Sequence, residues 1–184
     1  MSETITKGTL LIAEPFMWDP NFKRTVTLIC DNDESNGTFG FVLNRPMDMK
    51  LHEAVHGIKG FNAALYYGGP VEIDTLHYIH RLKDLDSAIE IIEGVYWGGN
   101  FEALKIIINS GSVKPEDFRF FLGYSGWEPG QLENEMKDQS WILHNVTAKH
   151  LFGTNATELW KTVLQEKGGE YAQMINFPED PSYN

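Results

Sequence analysis

Apolar residues in this chain gather first into short runs of strand length. Residues 8–13 (Gly-Thr-Leu-Leu-Ile-Ala) and 25–30 (Thr-Val-Thr-Leu-Ile-Cys) are two such runs, and a third, 38–43, follows the polar stretch 31–37. The second and third predict an antiparallel hairpin joined by a long turn. Residues 75–80 alternate, and the runs at 118–122 and 141–146 are rich in β-branched and aromatic side chains, so each predicts a further strand.

A period of three to four residues takes over mainly in the second half. Phe101, Leu104, Ile107 and Ile108 recur at helical spacing, and Asn100 is placed to cap a helix over 101–109. Pro129 suits the first position of a helix running to about residue 138, with Leu132 and Met136 stacked four apart. Asn155 and Glu158 form a capping-box pattern before Leu159, Trp160, Val163 and Leu164, and Gly168 is the predicted stop. The tail from about 170, with Pro178 and Pro181, is expected to be irregular. Strands and helices do not alternate strictly, so the predicted class is α+β.

The length of 184 residues suits one domain spanning 1–184, and 42% hydrophobic with 22% charged residues excludes a disordered or fibrous chain. The net charge of −11 narrows the partners. Residues 1–92 carry 8 basic and 13 acidic side chains, and 93–184 carry 7 and 13, so the acidity is not a detachable tail. Such a surface repels nucleic acid and anionic membrane. Lys23-Arg24 is the only adjacent basic pair, and no nucleic-acid-binding motif accompanies it. A lone Cys30, no apolar leader and no membrane-length run predict a cytoplasmic protein.

Three patterns touch on catalysis. His52-Glu53-Ala54-Val55-His56 fits H-E-x-x-H, which on a helix holds zinc and a water-activating Glu. Gly57 follows at once and cuts the helix short, and no third ligand stands at a recognised spacing, so chance is the better reading. His77 and His80 lie three apart in a strand and point to opposite faces, which disfavours chelation. Gly123-Tyr124-Ser125-Gly126-Trp127 approaches a nucleophile elbow, but its last Gly stands one position early, and a structural turn is expected. Cys30 reads as a buried structural cysteine, because nothing cationic precedes it to favour the thiolate.

Several segments in order resemble the AlgH/YqgE family. They include Gly8-Thr-Leu-Leu-Ile-Ala-Glu-Pro15, Asp19-Pro-Asn-Phe-Lys-Arg-Thr-Val26 and Gly40-Phe-Val-Leu-Asn-Arg-Pro46. Gly68-Gly-Pro-Val71, Gly98-Gly-Asn-Phe-Glu-Ala-Leu104, Gly123-Tyr-Ser-Gly-Trp127 and Gly130-Gln-Leu-Glu-Asn-Glu135 continue the series, which spans nearly the whole chain. The resemblance implies one α+β domain with a strongly curved, barrel-like, mainly antiparallel sheet flanked by helices. It also implies the family's customary label of transcriptional regulator, with no assigned reaction, cofactor or DNA-binding motif.

The motifs join polar or aromatic groups to chain-turning residues at strand ends, where binding sites commonly lie. Asn44, Arg45, Gly69, Tyr124, Trp127, Gln131 and Glu135 are therefore the candidates for one pocket that takes a small ligand or a partner's peptide, against a purely architectural role. No catalytic residue, metal or cofactor is expected. The favoured function is a non-enzymatic regulatory or interaction module acting through a protein partner or small ligand. A direct DNA-binding transcription factor and a metal-dependent hydrolase using His52, Glu53 and His56 are the alternatives.

Overall fold

The first strand, β1 (Thr9–Ala13), is buried at every position because its two faces meet different apolar clusters. Leu10 and Ile12 enter one cluster, and Leu11 and Ala13 another, as the two-residue period of a strand requires. β2 (Val26–Asp33) divides in the same way, with Val26, Leu28 and Cys30 on the first side and Ile29 on the second. The computed structural model describes residues 4–180, so Met1 to Glu3 and the last four residues of the expected irregular tail lie outside the described residues.

The chain continues through β3 (Gly37–Val42), β4 (Pro46–Lys50), a single helical turn α1 (Leu51–Ala54), β5 (Ala64–Tyr67), β6 (Val71–His80), β7 (Ile89–Ile92) and β8 (Val95–Trp97). Then come α2 (Phe101–Asn109), β9 (Phe118–Trp127), α3 (Gln131–Lys137) and β10 (Trp141–Asn145), followed by α4 (Ala148–Phe152), α5 (Leu159–Lys167) and α6 (Gly169–Met174). One sheet runs in the order β10-β1-β2-β3-β9-β6-β8-β7, and the β4–β5 pair joins it through β5. Every pairing is antiparallel except that of β5 with β9.

The α+β class is thus present, but the barrel-like expectation is not met: among the described residues the end strands β10 and β7 do not pair with each other, and the sheet is not closed. The ends meet through side chains instead. Ile91 of β7 shares a cluster with Leu10 and Ile142, and α5 adds Leu159, Trp160, Val163 and Leu164 to it. A helix therefore covers apolar surface that a closed ring of strands would otherwise cover. A further cluster joins Leu104 and Ile108 of α2 to Phe118 and Phe120 of β9 and Leu65 of β5.

Local chemistry explains where the chain keeps to or departs from its pattern. Asn100 caps α2 by accepting the Ala103 N–H at 3.0 Å. The long turn over 31–37 is corrected to residues 34–36, since Asp33 Oδ1 accepts the N–H groups of Ser35 and Asn36 and the ladder runs up to it. The expected turn at 123–127 is strand: Tyr124 pairs with Val71, and Ser125 to Trp127 pair with β3. α3 starts at Gln131, behind a left-handed Gly130, rather than at Pro129. Asn155 caps a 3-10 turn, Ala156–Glu158, ahead of α5. Within the tail expected to be irregular, residues 169–174 form α6.

Candidate functional site

Most of the motif residues converge on the loop at 19–25. Asn44 spans it, its Oδ1 accepting the Val26 N–H at 2.8 Å and its Nδ2 donating to Arg24 O at 2.9 Å. Arg45 donates to Lys23 O at 3.0 Å, and the Tyr67 hydroxyl donates to Asn21 Oδ1 at 2.9 Å. Arg24 itself sits at φ +53° and stacks its guanidinium 4.7 Å from the Trp160 ring. On the other side of the loop, Phe22 packs on Trp127 and Trp141 at 5.8 and 5.4 Å. Glu135 then ties these indoles together: one carboxylate oxygen accepts both N–H groups, at 2.9 and 2.7 Å, and the other accepts Gln131 Nε2 at 2.9 Å.

Gly69 belongs to a different contact. Its backbone lies against Tyr124, where an added Cβ would stand 2.2 Å from carbonyl carbon and oxygen, and its φ of +150° suits glycine alone. The contact seats the turn after β5 on the middle of β9.

Beside Tyr124 opens a groove of about 630 Å³. Its aromatic wall is Phe39, Trp97, Tyr124 and Trp127, with His77 among them. Phe39 stands 4.8 Å from Trp97 and 6.3 Å from Tyr124, ring to ring, and His77 lies 5.7 Å edge-on to Tyr124. Asp31 and Glu128, both exposed, are the charged residues of the lining, which contains no Lys or Arg. His77 Nε2 and Trp97 Nε1 are buried atoms without a hydrogen-bond partner. Burial holds the His77 imidazole below its usual pKa of 6.5, against an opposing pull from Glu72. His77 and Trp97 also line a second cavity of about 500 Å³, bounded by Val55, His56 and Phe101.

Of the seven candidates, Tyr124 and Trp127 line the groove; Glu135 reaches it through its bond to Trp127, and Gln131 through Glu135 and by accepting the N–H of the lining residue Glu128 at 3.0 Å. Gly69 supports Tyr124 from behind. Asn44 and Arg45 are outside the lining, with polar atoms engaged on the 19–25 loop. Phe39, His77 and Trp97 were missed as site residues, because they come from three strands and no spacing in the sequence joins them.

The catalytic patterns are absorbed by structure. α1 ends at Ala54, so His52 and His56 do not share a helix face, and Glu53 accepts the Lys50 N–H at 2.7 Å. Ser125 is fully buried and donates to Gly68 O at 3.1 Å. Burial pushes the Cys30 thiol well above its usual pKa, with Asp31 adding to the effect, so the thiolate is disfavoured. His80 is fully buried; its Nδ1 accepts the Leu82 N–H at 3.1 Å, and its Nε2–H donates to Gly98 O at 2.7 Å.

One cluster had no signal in the sequence: the ligand atoms of His144, His150 and Glu166 lie within 4.8 Å of one another. His150 Nδ1 accepts the Thr147 N–H at 3.0 Å, which places the ring proton on Nε2, where it donates to Glu166 at 2.6 Å. A metal ion at Nε2 would have to displace that proton, so the bonds present describe a structural cap. Among the described residues, no helix is long and apolar enough to cross a membrane.

Comparison with known proteins agrees with the motif series. Residues 10–172 match the family model described as AlgH-like. A UPF0301 protein of Chlorobaculum tepidum is 43% identical over 99% of this chain and 97% of its own length. A UPF0301 protein of Cytophaga hutchinsonii is 39% identical over 98% of this chain and its full length. The solution structure of the AlgH protein from Pseudomonas aeruginosa superposes with a TM-score of 0.73 at 29% identity, covering 97% of this chain and 98% of that one. The crystal structure of protein DIP2367 from Corynebacterium diphtheriae shares the fold, with a TM-score of 0.80 at 21% identity over 96% of this chain and 95% of that one. With its motifs, its fold and nearly its whole length matched, the chain belongs to the AlgH-like family.

Proposed function

We propose that this protein is a non-enzymatic binding module of the cytoplasm that acts in regulation by holding a partner in the aromatic groove, not by touching DNA itself. The observation that carries the reading is the open groove walled by Phe39, Trp97, Tyr124 and Trp127, in whose wall two buried polar atoms, His77 Nε2 and Trp97 Nε1, have no partner. Buried polar groups are ordinarily paired, and a bound partner supplies what is missing. Ser125 and Cys30 offer no activated nucleophile, for the reasons given above, and the net charge of −11 opposes contact with a phosphate backbone. Asp31 and Glu128 extend the same preference to the groove: its occupant is planar and carries no negative charge. The network around the 19–25 loop is the frame that fixes Trp127.

Calorimetric titration of the full chain with benzamide and with benzoate tests this, because the two are alike in size and differ in charge. Benzamide is expected to bind saturably, benzoate at least about tenfold more weakly, and Trp97→Phe to weaken benzamide several-fold. Absence of benzamide binding, or equal binding of benzoate, refutes the reading. Salt-dependent binding to duplex DNA with sequence preference would favour the direct transcription factor instead.

A further inference from the structure

Resting on that reading of the groove, we propose that its occupant is an arginine side chain carried on a segment of a partner protein. Charge is the first ground. The charged lining residues, Asp31 and Glu128, are both acidic, so a cation entering there is attracted and an anion repelled.

The rings supply the second ground. Elsewhere this protein covers aromatic faces with its own cations: Arg24 lies 4.7 Å from Trp160, Arg81 4.6 Å from Phe152, and Arg119 4.6 Å from Tyr66. Among the described residues, the groove rings Phe39, Trp97, Tyr124 and Trp127 have no such cation over them. A guanidinium is flat and weakly hydrated, and it stacks on aromatic faces while keeping its N–H groups in plane for acceptors. An ammonium is a strongly hydrated point charge and makes the poorer fit.

The unpaired atoms supply the third. His77 Nε2, buried in the groove wall without a partner, would accept a guanidinium N–H in the Nδ1–H tautomer once the wall yields to a ligand, and a quaternary ammonium has no N–H to give. The Trp97 indole N–H is a donor only, and a cation has nothing for it. A peptide carbonyl next to the arginine does. The two atoms together ask for an N–H donor and a carbonyl on one ligand, and with the acidic lining selecting a cationic donor, an arginine within a chain provides both where a free guanidine does not.

The test compares four probes by calorimetry on the full chain: the blocked tripeptides Gly-Arg-Gly, Gly-Lys-Gly and Gly-citrulline-Gly, and methylguanidine. The arginine peptide is expected to bind about tenfold more tightly than each of the others. Asp31→Asn combined with Glu128→Gln, both at exposed positions, is expected to weaken the arginine peptide more than it weakens benzamide. Equal affinity for lysine reduces the effect to charge attraction and overturns the proposal, as does equal affinity for citrulline. Methylguanidine binding as tightly as the peptide overturns the protein-segment source. If benzamide binds and the arginine peptide does not, the guanidinium inference fails while the groove stands. If neither binds, both fail.

Discussion

At the scale of the residue, Glu135 carries more of the site than its position on a short helix suggests. It is half-buried and accepts both the Trp127 and Trp141 indole N–H groups on one oxygen. Glu135→Ala leaves two N–H groups unpaired under a layer of rings and is expected to cost about 2–4 kcal/mol in chemical denaturation. Glu135→Gln keeps an acceptor and should cost less than half of that; equal losses would show that the bonds do not matter. Asn44, Arg45, Tyr124, Trp127, Gln131 and Glu135 were legible because they stand in ordered motifs. Those motifs mark residues, but not which neighbours they meet. Asn44 and Arg45 turned to the 19–25 loop, whereas His77, expected only to point away from His80 across its strand, lines the groove.

At the scale of the element, β9 is the strand on which the fold turns, since β3, β5 and β6 all pair with it. Its first half was readable from apolar residues. Its second half was not, because two glycines and a serine within five residues have the composition of a turn. They serve close approach instead: Gly123 at φ +71° meets Gly69 O, and Gly69 meets the Tyr124 backbone. Gly69→Ala is therefore expected to lower stability by at least about 2 kcal/mol, because backbone and not a movable side chain stands in the way. Gly111→Ala is the control: it shares a positive φ but has open space around it, and should cost only about 1 kcal/mol. Similar losses at both positions would remove the steric account. Three or four residues are too few to display alternation, so β5, β7 and β8 escaped the sequence, and the apolar positions of β4 are interrupted by Pro46, Asp48 and Lys50. α2, with a clear period and an Asn cap, was legible to the residue.

At the scale of the whole molecule, class and family were readable, while the way the sheet ends was not. Openness is settled by where Ile91 and α5 pack, which are contacts between distant parts of the chain. The acidic balance becomes more specific in the folded protein, where both charged groups of the groove are carboxylates. Burial also gives the molecule a direction of response to pH. The imidazoles of His77, His80 and His144 are all held below 6.5, chiefly by burial; Gly98 O opposes this at His80, and His150 and Lys167 add to it at His144 against Glu166. Burial alone would raise the Glu166 carboxyl, but bonds and charge from His150 and His144 outweigh it and lower it. The unfolded chain therefore takes up protons before the folded one as pH falls through 6.5, and stability decreases from there downward, with Glu166 adding to the loss below about 4.5. Urea midpoints should fall between about pH 7 and pH 5. A midpoint that is flat or rises toward acid contradicts this assignment.

In the proposed function, a partner is held on the wall between β3, β8 and β9. Its most direct test is a nitrogen–proton correlation spectrum of the full chain during titration with benzamide. The Trp97 indole N–H is expected to shift most among the five tryptophans, together with the backbone amides of Phe39 and Tyr124, while those of Asn44 and Arg45 stay in place. Shifts centred on Asn44 and Arg45, with the Trp97 indole unmoved, would contradict it.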